Sequence, residues 1–260
     1  MRLRREPPTF RRVTVVRTEP LTPHLLRVTL TGPDLATLDP GLPAASVRLL
    51  LPSTSGADLV IPAWSGNEFL FEDGVRPTIR TYTPRRFQAM GVPELDLDVV
   101  LHSAGAVSAW ARAARAGDPA AISGTGRGYA IEPGDRSFLL GGDESAIPAI
   151  SQLLEVLPAE ATVQVVIEVA RPDARLELPS HAGAAITWLD RPLGAALGAP
   201  LLSAISTAAL TPDTRVWVAG EAAAVQRIRK HLFEERGVPR SQCTVRGYWK
   251  HGRAGDANED

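Results

Sequence analysis

Acidic and apolar residues alternate without a break in Glu94-Leu95-Asp96-Leu97-Asp98-Val99. Successive side chains of a strand point to opposite faces, so this segment predicts one buried face and one wet face. Shorter runs of strand character, separated by Pro and Gly, predict further strands over 12–18, 25–30, 46–51, 78–84 and 119–123. Six short strands with turn-rich joins predict a closed antiparallel barrel over residues 10–130. The texture changes from about residue 136. Apolar strands predicted over 137–142, 163–169, 185–189, 215–220 and 244–249 alternate with helical spacing over 146–157, 197–209 and 222–236. Gly237 stops the last helix, with Pro239 beyond it. Strands this apolar between helices predict a parallel sheet covered on both faces, over residues 136–252. Residues 1–9 read as a basic arm and 253–260 as a flexible acidic tail. No internal repeat interrupts this two-part plan.

Six segments carry candidate chemistry. In Arg80-Thr81-Tyr82-Thr83-Pro84-Arg85, strand geometry puts Arg80 and Tyr82 on one face and Thr83 on the other, and Pro84 ends the ladder. A guanidinium can fork onto phosphate oxygens, and a phenol can pack on a ring system and still hydrogen-bond. The spacing suits a flavin nucleotide; a barrel strand whose Arg and Tyr face water would look the same. About twenty residues on, His102-Ser103-Ala104-Gly105-Ala106-Val107-Ser108 turns at Gly105 and opens a helix that Ser108 can cap. The free amides of such a helix start favour an anion, here a pyrophosphate opposite Arg80. An ordinary capped helix is the alternative.

Gly124-Thr125-Gly126-Arg127-Gly128 lacks the dinucleotide-fingerprint spacing. It serves either close approach of backbone to a flat ligand or a linker. Gly141-Gly142-Asp143-Glu144-Ser145-Ala146-Ile147-Pro148 is a strand-to-helix turn that Asp143 or Ser145 can cap, and Val218-Ala219-Gly220-Glu221-Ala222 repeats its geometry. Together they describe the ligand edge of an open α/β sheet. Gly247-Tyr248-Trp249-Lys250-His251 offers aromatics beside cations, for a ring system, an anion or the core.

Composition narrows the classes. The net charge of −1 leaves no global field for nucleic acid or membrane. Arg2, Arg4, Arg5, Arg11, Arg12 and Arg17 make the N-terminus locally basic. The single cysteine, Cys243, excludes an intramolecular disulfide and a cysteine-ligated cluster. No apolar run reaches bilayer length, and residues 1–10 lack the apolar core of a signal peptide, so a cytoplasmic protein is expected.

In this order, the motifs resemble the siderophore-interacting protein family, FAD-containing ferric-siderophore reductases of the ferredoxin–NADP reductase superfamily. The resemblance covers residues 10–252. It rests on Arg80-x-Tyr82-Thr83-x-Arg85, His102 with Gly105-x-x-Ser108-x-Trp110-Ala111, and Gly142-Asp143-Glu144-Ser145-Ala146-Ile147-Pro148-Ala149. It continues through Trp217-Val218-Ala219-Gly220-Glu221, Arg229 and Gly247-Tyr248-Trp249-Lys250-x-Gly252. It implies an FAD-binding barrel followed by a nicotinamide-binding-type domain. Arg80, Thr81, Tyr82, Thr83, His102, Gly105, Val107 and Ser108 would hold FAD. Asp143, Glu144, Ser145 and Ala146 would approach the nicotinamide, with Tyr248 and Trp249 near the flavin. Arg48, Arg127, Arg246 and Lys250 are the candidates for a basic siderophore site. Three positions depart from the family pattern: Ser103 stands where Gly is usual, Ala106 where Pro is usual, and Gly124-Thr125-Gly126 replaces a Gly-Pro-type turn.

The expected function is FAD-dependent reduction of ferric siderophores, with electrons from NAD(P)H or reduced ferredoxin, by a monomer without a membrane span. A flavin reductase serving a protein acceptor and a non-catalytic siderophore- or flavin-binding module are the alternatives. Arg171 and Arg175, after the 163–169 strand, would favour NADPH if they met an adenosine phosphate; exposed loop arginines would look the same.

Overall fold

The computed structural model describes residues 9–54, 57–66, 69–71, 77–102 and 105–252. Most of the predicted arm, the acidic tail and the Ser103–Ala104 part of the predicted phosphate loop lie outside the described residues. Two compact units are present, one holding residues up to Leu21 and Leu25–Gly128, the other Thr22–His24 and Tyr129 onward.

The first unit is a seven-stranded antiparallel sheet with one helix, α1 (Ala106–Ala113). Its strands are β1 (Phe10–Thr22), β2 (Leu25–Thr31), β3 (Val47–Leu51), β6 (Thr78–Tyr82), β7 (Pro84–Gln88), β8 (Glu94–Val100) and β9 (Pro119–Ser123). A separate two-stranded ribbon joins β4 (Ala63–Trp64) to β5 (Phe69–Leu70). The large sheet runs β6-β3-β9-β1-β2-β8-β7. Its two outer strands are consecutive in the chain, joined through the single residue Thr83, so the sheet curls without its edges pairing.

The expected closed six-stranded barrel is therefore corrected to an open, barrel-like sheet of seven strands. β6 ends at Tyr82, two residues before Pro84, and Pro84 instead begins β7, pairing with Leu97. A first strand position tolerates proline because no ladder donor is needed there.

The alternating segment that became β8 buries Leu95, Leu97 and Val99 against Val28, Leu30, Leu49 and Ile122. Its other face is not wet. Asp96 and Asp98 are also buried, because Arg27, directly opposite Asp98 on β2, grips it through two bonds of 2.7 and 2.9 Å. Thr29 Oγ1 donates to Asp96 Oδ1 at 2.7 Å. Of the locally basic N-terminus, Arg11 and Arg17 belong to β1 rather than an arm: Arg11 bonds Thr37, and Arg17 pairs with Glu94.

The second unit is a five-stranded parallel sheet in the order β12-β11-β10-β13-β14. The strands are β10 (Ser137–Gly142), β11 (Thr162–Val169), β12 (Ala184–Asp190), β13 (Arg215–Glu221) and β14 (Cys243–Trp249). Leu139, Val166, Val216 and Val218 form a core with α3 (Ala199–Thr207) and α4 (Ala222–Lys230). The remaining helix, α2 (Ile147–Val156), packs on β10. Past Lys230 the helical path widens into a π turn over His231–Glu235, so the predicted single helix to Arg236 is two geometries in series. Among the described residues no helix is long and apolar enough to cross a membrane.

Candidate functional site

In the first unit the structure brings the two predicted flavin segments together, since α1 packs against β6 as well as β2 and β8. Cross-strand register explains how β6 presents its side chains. Val47 faces Tyr82 and Leu49 faces Arg80, so Arg80 and Tyr82 stand on the core face of the sheet. Tyr82 packs against the cluster that contains Val107 and Ala111 of α1. Burial pushes its phenol up to about 12, with the Arg80 charge opposing, so it is a neutral hydroxyl at physiological pH. Arg80 is half-buried, one of its nitrogens donating to the Ile79 carbonyl at 2.7 Å. Thr83 is buried at the seam between β6 and β7.

The helix start differs from the expected cap. Gly105 is the N-cap, and Ser108 is the third helical residue. The buried Ser108 hydroxyl accepts from His102 N at 3.1 Å and donates to the Val100 carbonyl at 3.3 Å, tying the helix to the end of β8. A hydroxyl one turn inside the helix points back at the preceding strand rather than at the open amides. A side chain at position 105 would crowd His102 Cδ2 at 3.0 Å and Ser108 Oγ at 3.1 Å. The first helical bond runs from Ala109 N to the Gly105 carbonyl. The amides of Ala106, Val107 and Ser108 thus lie ahead of the ladder. The Val107 side chain is in the core, leaving its amide to this edge. Partial burial, then the neighbouring Arg112 charge, hold the His102 imidazole below its ordinary range. A guanidinium, a neutral phenol, a small hydroxyl and three helix-start amides in one unit fit the phosphates and ring system of FAD.

The glycine-rich turn after β9 has a different explanation from ligand approach. Gly126 N donates to the Ser46 carbonyl at 2.6 Å, and a Cβ at Gly128 would meet Leu42 Cβ at 2.5 Å. These glycines let two segments of the same unit touch.

The basic candidates fall into two pairs. Arg48 lies on the opposite sheet face from Arg80, its guanidinium 5.7 Å from the Phe69 ring centroid, and the adjoining turn carries the exposed Arg127. Arg246 is half-buried on β14, and Lys250 is exposed just beyond that strand.

The C-terminal edge of the parallel sheet forms a crevice lined by Asp143, Glu168, Arg191, Gly198, Gly220 and Glu221, among others. Carboxylates of this chain hold the backbone there. Asp143 caps the short 3-10 turn Glu144–Ala146 by accepting from Ser145 N at 2.9 Å. Glu144 accepts from Ala170 N beyond β11. Glu221 caps α4 through Ala224 N at 2.8 Å. Glu168, missed in the sequence, is buried and holds the start of α3 through Gly198 N (2.9 Å) and Leu201 N (3.1 Å), with Arg191 3.6 Å away. An acid inside the apolar run Val163–Val169 was its one visible signal. Burial raises the carboxyls of both Asp143 and Glu144 above the ordinary range, against the hydrogen bonds they accept.

Ala146 is buried at the start of α2, and Tyr248 stands edge-on to the buried Trp217, centroids 6.3 Å apart. Arg171 and Arg175 each face a carboxylate, Asp173 and Asp190 respectively, which offsets the charge they would offer a nucleotide phosphate.

Burial pushes the Cys243 thiol up to about 11. Only roughly one thiolate per thousand exists at pH 8 on that basis. Iodoacetamide should therefore modify Cys243 about a hundredfold more slowly than glutathione in native protein, and at the glutathione rate in urea. Fast native alkylation, read by mass spectrometry, would contradict that environment.

An antiparallel barrel-like sheet followed by a five-stranded parallel sheet defines the ferredoxin reductase-like fold class. Phthalate dioxygenase reductase shares this fold at 17% identity, with a TM-score of 0.64 over 95% of this chain and 70% of that one. Within the class, residues 14–129 match the siderophore-interacting FAD-binding domain and residues 135–252 match the siderophore-interacting protein model. The chain belongs to the siderophore-interacting protein family. It is 31% identical to ferric vibriobactin reductase ViuB of Vibrio cholerae, over 93% of this chain and 90% of that protein. It is 35% identical to a siderophore utilization protein from T. fusca of known structure, with a TM-score of 0.84 over 98% and 97% of the two chains.

Proposed function

We propose that this protein reduces ferric siderophores, with FAD as carrier and NAD(P)H or reduced ferredoxin as electron donor. The observation that supports the reading best is the packing of β6, with Arg80 and Tyr82, against the open helix start of α1. FAD, when bound, would supply two-electron uptake from the donor and one-electron delivery to ferric iron. Arg80 and the amides of Ala106–Ser108 would hold the pyrophosphate, and the neutral Tyr82 hydroxyl would orient the flavin. Fe(III) prefers hard oxygen donors and Fe(II) holds them more weakly, so reduction releases the metal. No side chain need move a proton at iron; the chain supplies orientation and an attractive field. Anaerobic mixing of the FAD-loaded protein with NADH, NADPH and reduced ferredoxin in parallel, followed by a ferric chelate, tests this. Flavin bleaching by at least one donor and its recovery on adding chelate are expected. A flavin that no donor reduces, or that the chelate leaves reduced, would remove the proposal.

Arg127 and Lys250 should favour anionic complexes over neutral ones, because both are exposed cations. Replacing both by Ala should slow reduction of a ferric triscatecholate more than that of a neutral trishydroxamate. Added salt should shrink the difference, since exposed charges are screened over about 8 Å at physiological ionic strength. Equal losses for both chelates would assign these residues another role.

A further inference from the structure

Trp249 is an exposed aromatic whose pose is determined by three separate features. Its indole N–H donates to Asp143 Oδ2 at 2.8 Å. The pairing of β13 with β14 is irregular at this point: Gly220 faces Gly247, but the next residue, Glu221, faces Trp249, skipping Tyr248. Such a bulge re-aims the side chains that follow it. Finally, Gly220 has φ +153°, and a Cβ there would stand 2.7 Å from Asp143 Oδ2, so the carboxylate can reach the indole only past a glycine.

Asp143 is the joint of this arrangement. Oδ2 also accepts from Glu221 N at 2.9 Å, and Oδ1 accepts from Ser145 N and Ser145 Oγ at 2.9 and 2.5 Å. One carboxylate thereby ties the ends of β10, β13 and β14. A second tie runs from His251 N to Glu221 Oε1 at 3.3 Å. With four donors from its own chain, Asp143 is poorly placed to contact a nucleotide, but well placed to orient the ring. Trp249 remains 38% exposed while its polar atom is anchored, which leaves a flat apolar surface at fixed orientation. That is the form of a stacking platform for a flat reactant ring.

We propose that Asp143 is a positioning residue: it sets the pose of the Trp249 indole, and acts through that ring on electron transfer from donor to flavin rather than by touching the cofactor. This rests on the reductase reading above, and it narrows the expectation that Asp143 contacts the nucleotide.

Two measurements test it. The first needs no cofactor. In FAD-free protein the Trp249 indole N–H resonance, assigned by its loss in Trp249→Phe, should move on Asp143→Asn while the resonances of Trp64, Trp110 and Trp188 hold. An unmoved Trp249 resonance would overturn the latch.

The second is a double-mutant cycle on FAD-loaded protein, following flavin reduction by whichever donor bleaches the wild type. Asp143→Asn should slow reduction about tenfold, less than the roughly hundredfold that a 1 Å misplacement can cost. In the Trp249→Phe background it should cost less than about twofold, because the contact it acts through is already gone. Reoxidation by ferric chelate should be little changed. Equal losses in both backgrounds would overturn the proposal. If Asp143→Asn does not fold, Trp249→Phe alone decides, since it keeps a ring and removes the anchor. It should slow reduction several-fold with an unchanged thermal midpoint, and an unchanged rate would overturn the proposal. A wild type that no donor reduces would instead sink the reductase reading and leave the resonance test standing.

Discussion

Arg80→Ala should lower FAD affinity by roughly 1.5–3 kcal/mol, or about ten- to a hundredfold, the usual worth of hydrogen bonds to a charged group. The measurement is titration of FAD-free protein, read by quenching of flavin fluorescence. The direction follows from placement: Arg80 stands on the core face of β6 beside Tyr82, in the strand that packs on α1. Thermal stability of the FAD-free form should barely change, because the bond Arg80 makes there is to the adjacent Ile79 carbonyl. Arg80→Lys should recover part of the affinity, since an ammonium keeps the charge and loses the fork. If Arg80→Ala binds FAD as tightly as wild type, the pyrophosphate is not at this edge.

Arg27→Ala should destabilise the first unit by about 3–5 kcal/mol, the cost of leaving a buried charge without its partner. Asp98 is the reason, its side chain only 1% exposed and gripped at both oxygens by Arg27. Asp96 lies two residues away on the same face, 4.0 Å from the same guanidinium, so losing Arg27 would leave two neighbouring carboxylates without that cation. Urea denaturation of FAD-free protein reads the loss. The paired replacement Arg27→Met with Asp98→Leu should cost far less, because apolar groups of similar size leave no charge stranded. A loss under 1 kcal/mol in Arg27→Ala would show that water reaches these carboxylates. By contrast, breaking Arg17–Glu94 should have little effect, as both side chains are solvent-accessible.

Much of this molecule was legible in one dimension. Period-two alternation and apolar runs located the strands of both sheets to within a few residues. The β10 strand was placed at its observed bounds, and Asp143 was a correct candidate cap, since both depend on neighbours in sequence. The ordered motifs also led to the family. The seventh strand was not legible, because proline usually ends a strand and only the curling of the sheet makes Pro84 the first residue of a new one. Nor was the burial of Asp96 and Asp98, because alternation says which face a residue takes but not that Arg27, some seventy positions away, will cover it. Ser108 looked like a cap until the packing of α1 on β8 turned its hydroxyl to the strand. The tie from Asp143 to Trp249, 106 residues apart, required β10, β13 and β14 to lie side by side in one parallel sheet. Local pattern and chemistry were decided by the order of residues, through propensity and side-chain period. Which charges are buried, which amides remain open and which aromatic is anchored were decided by strand order and register, since these bring distant groups within hydrogen-bonding reach.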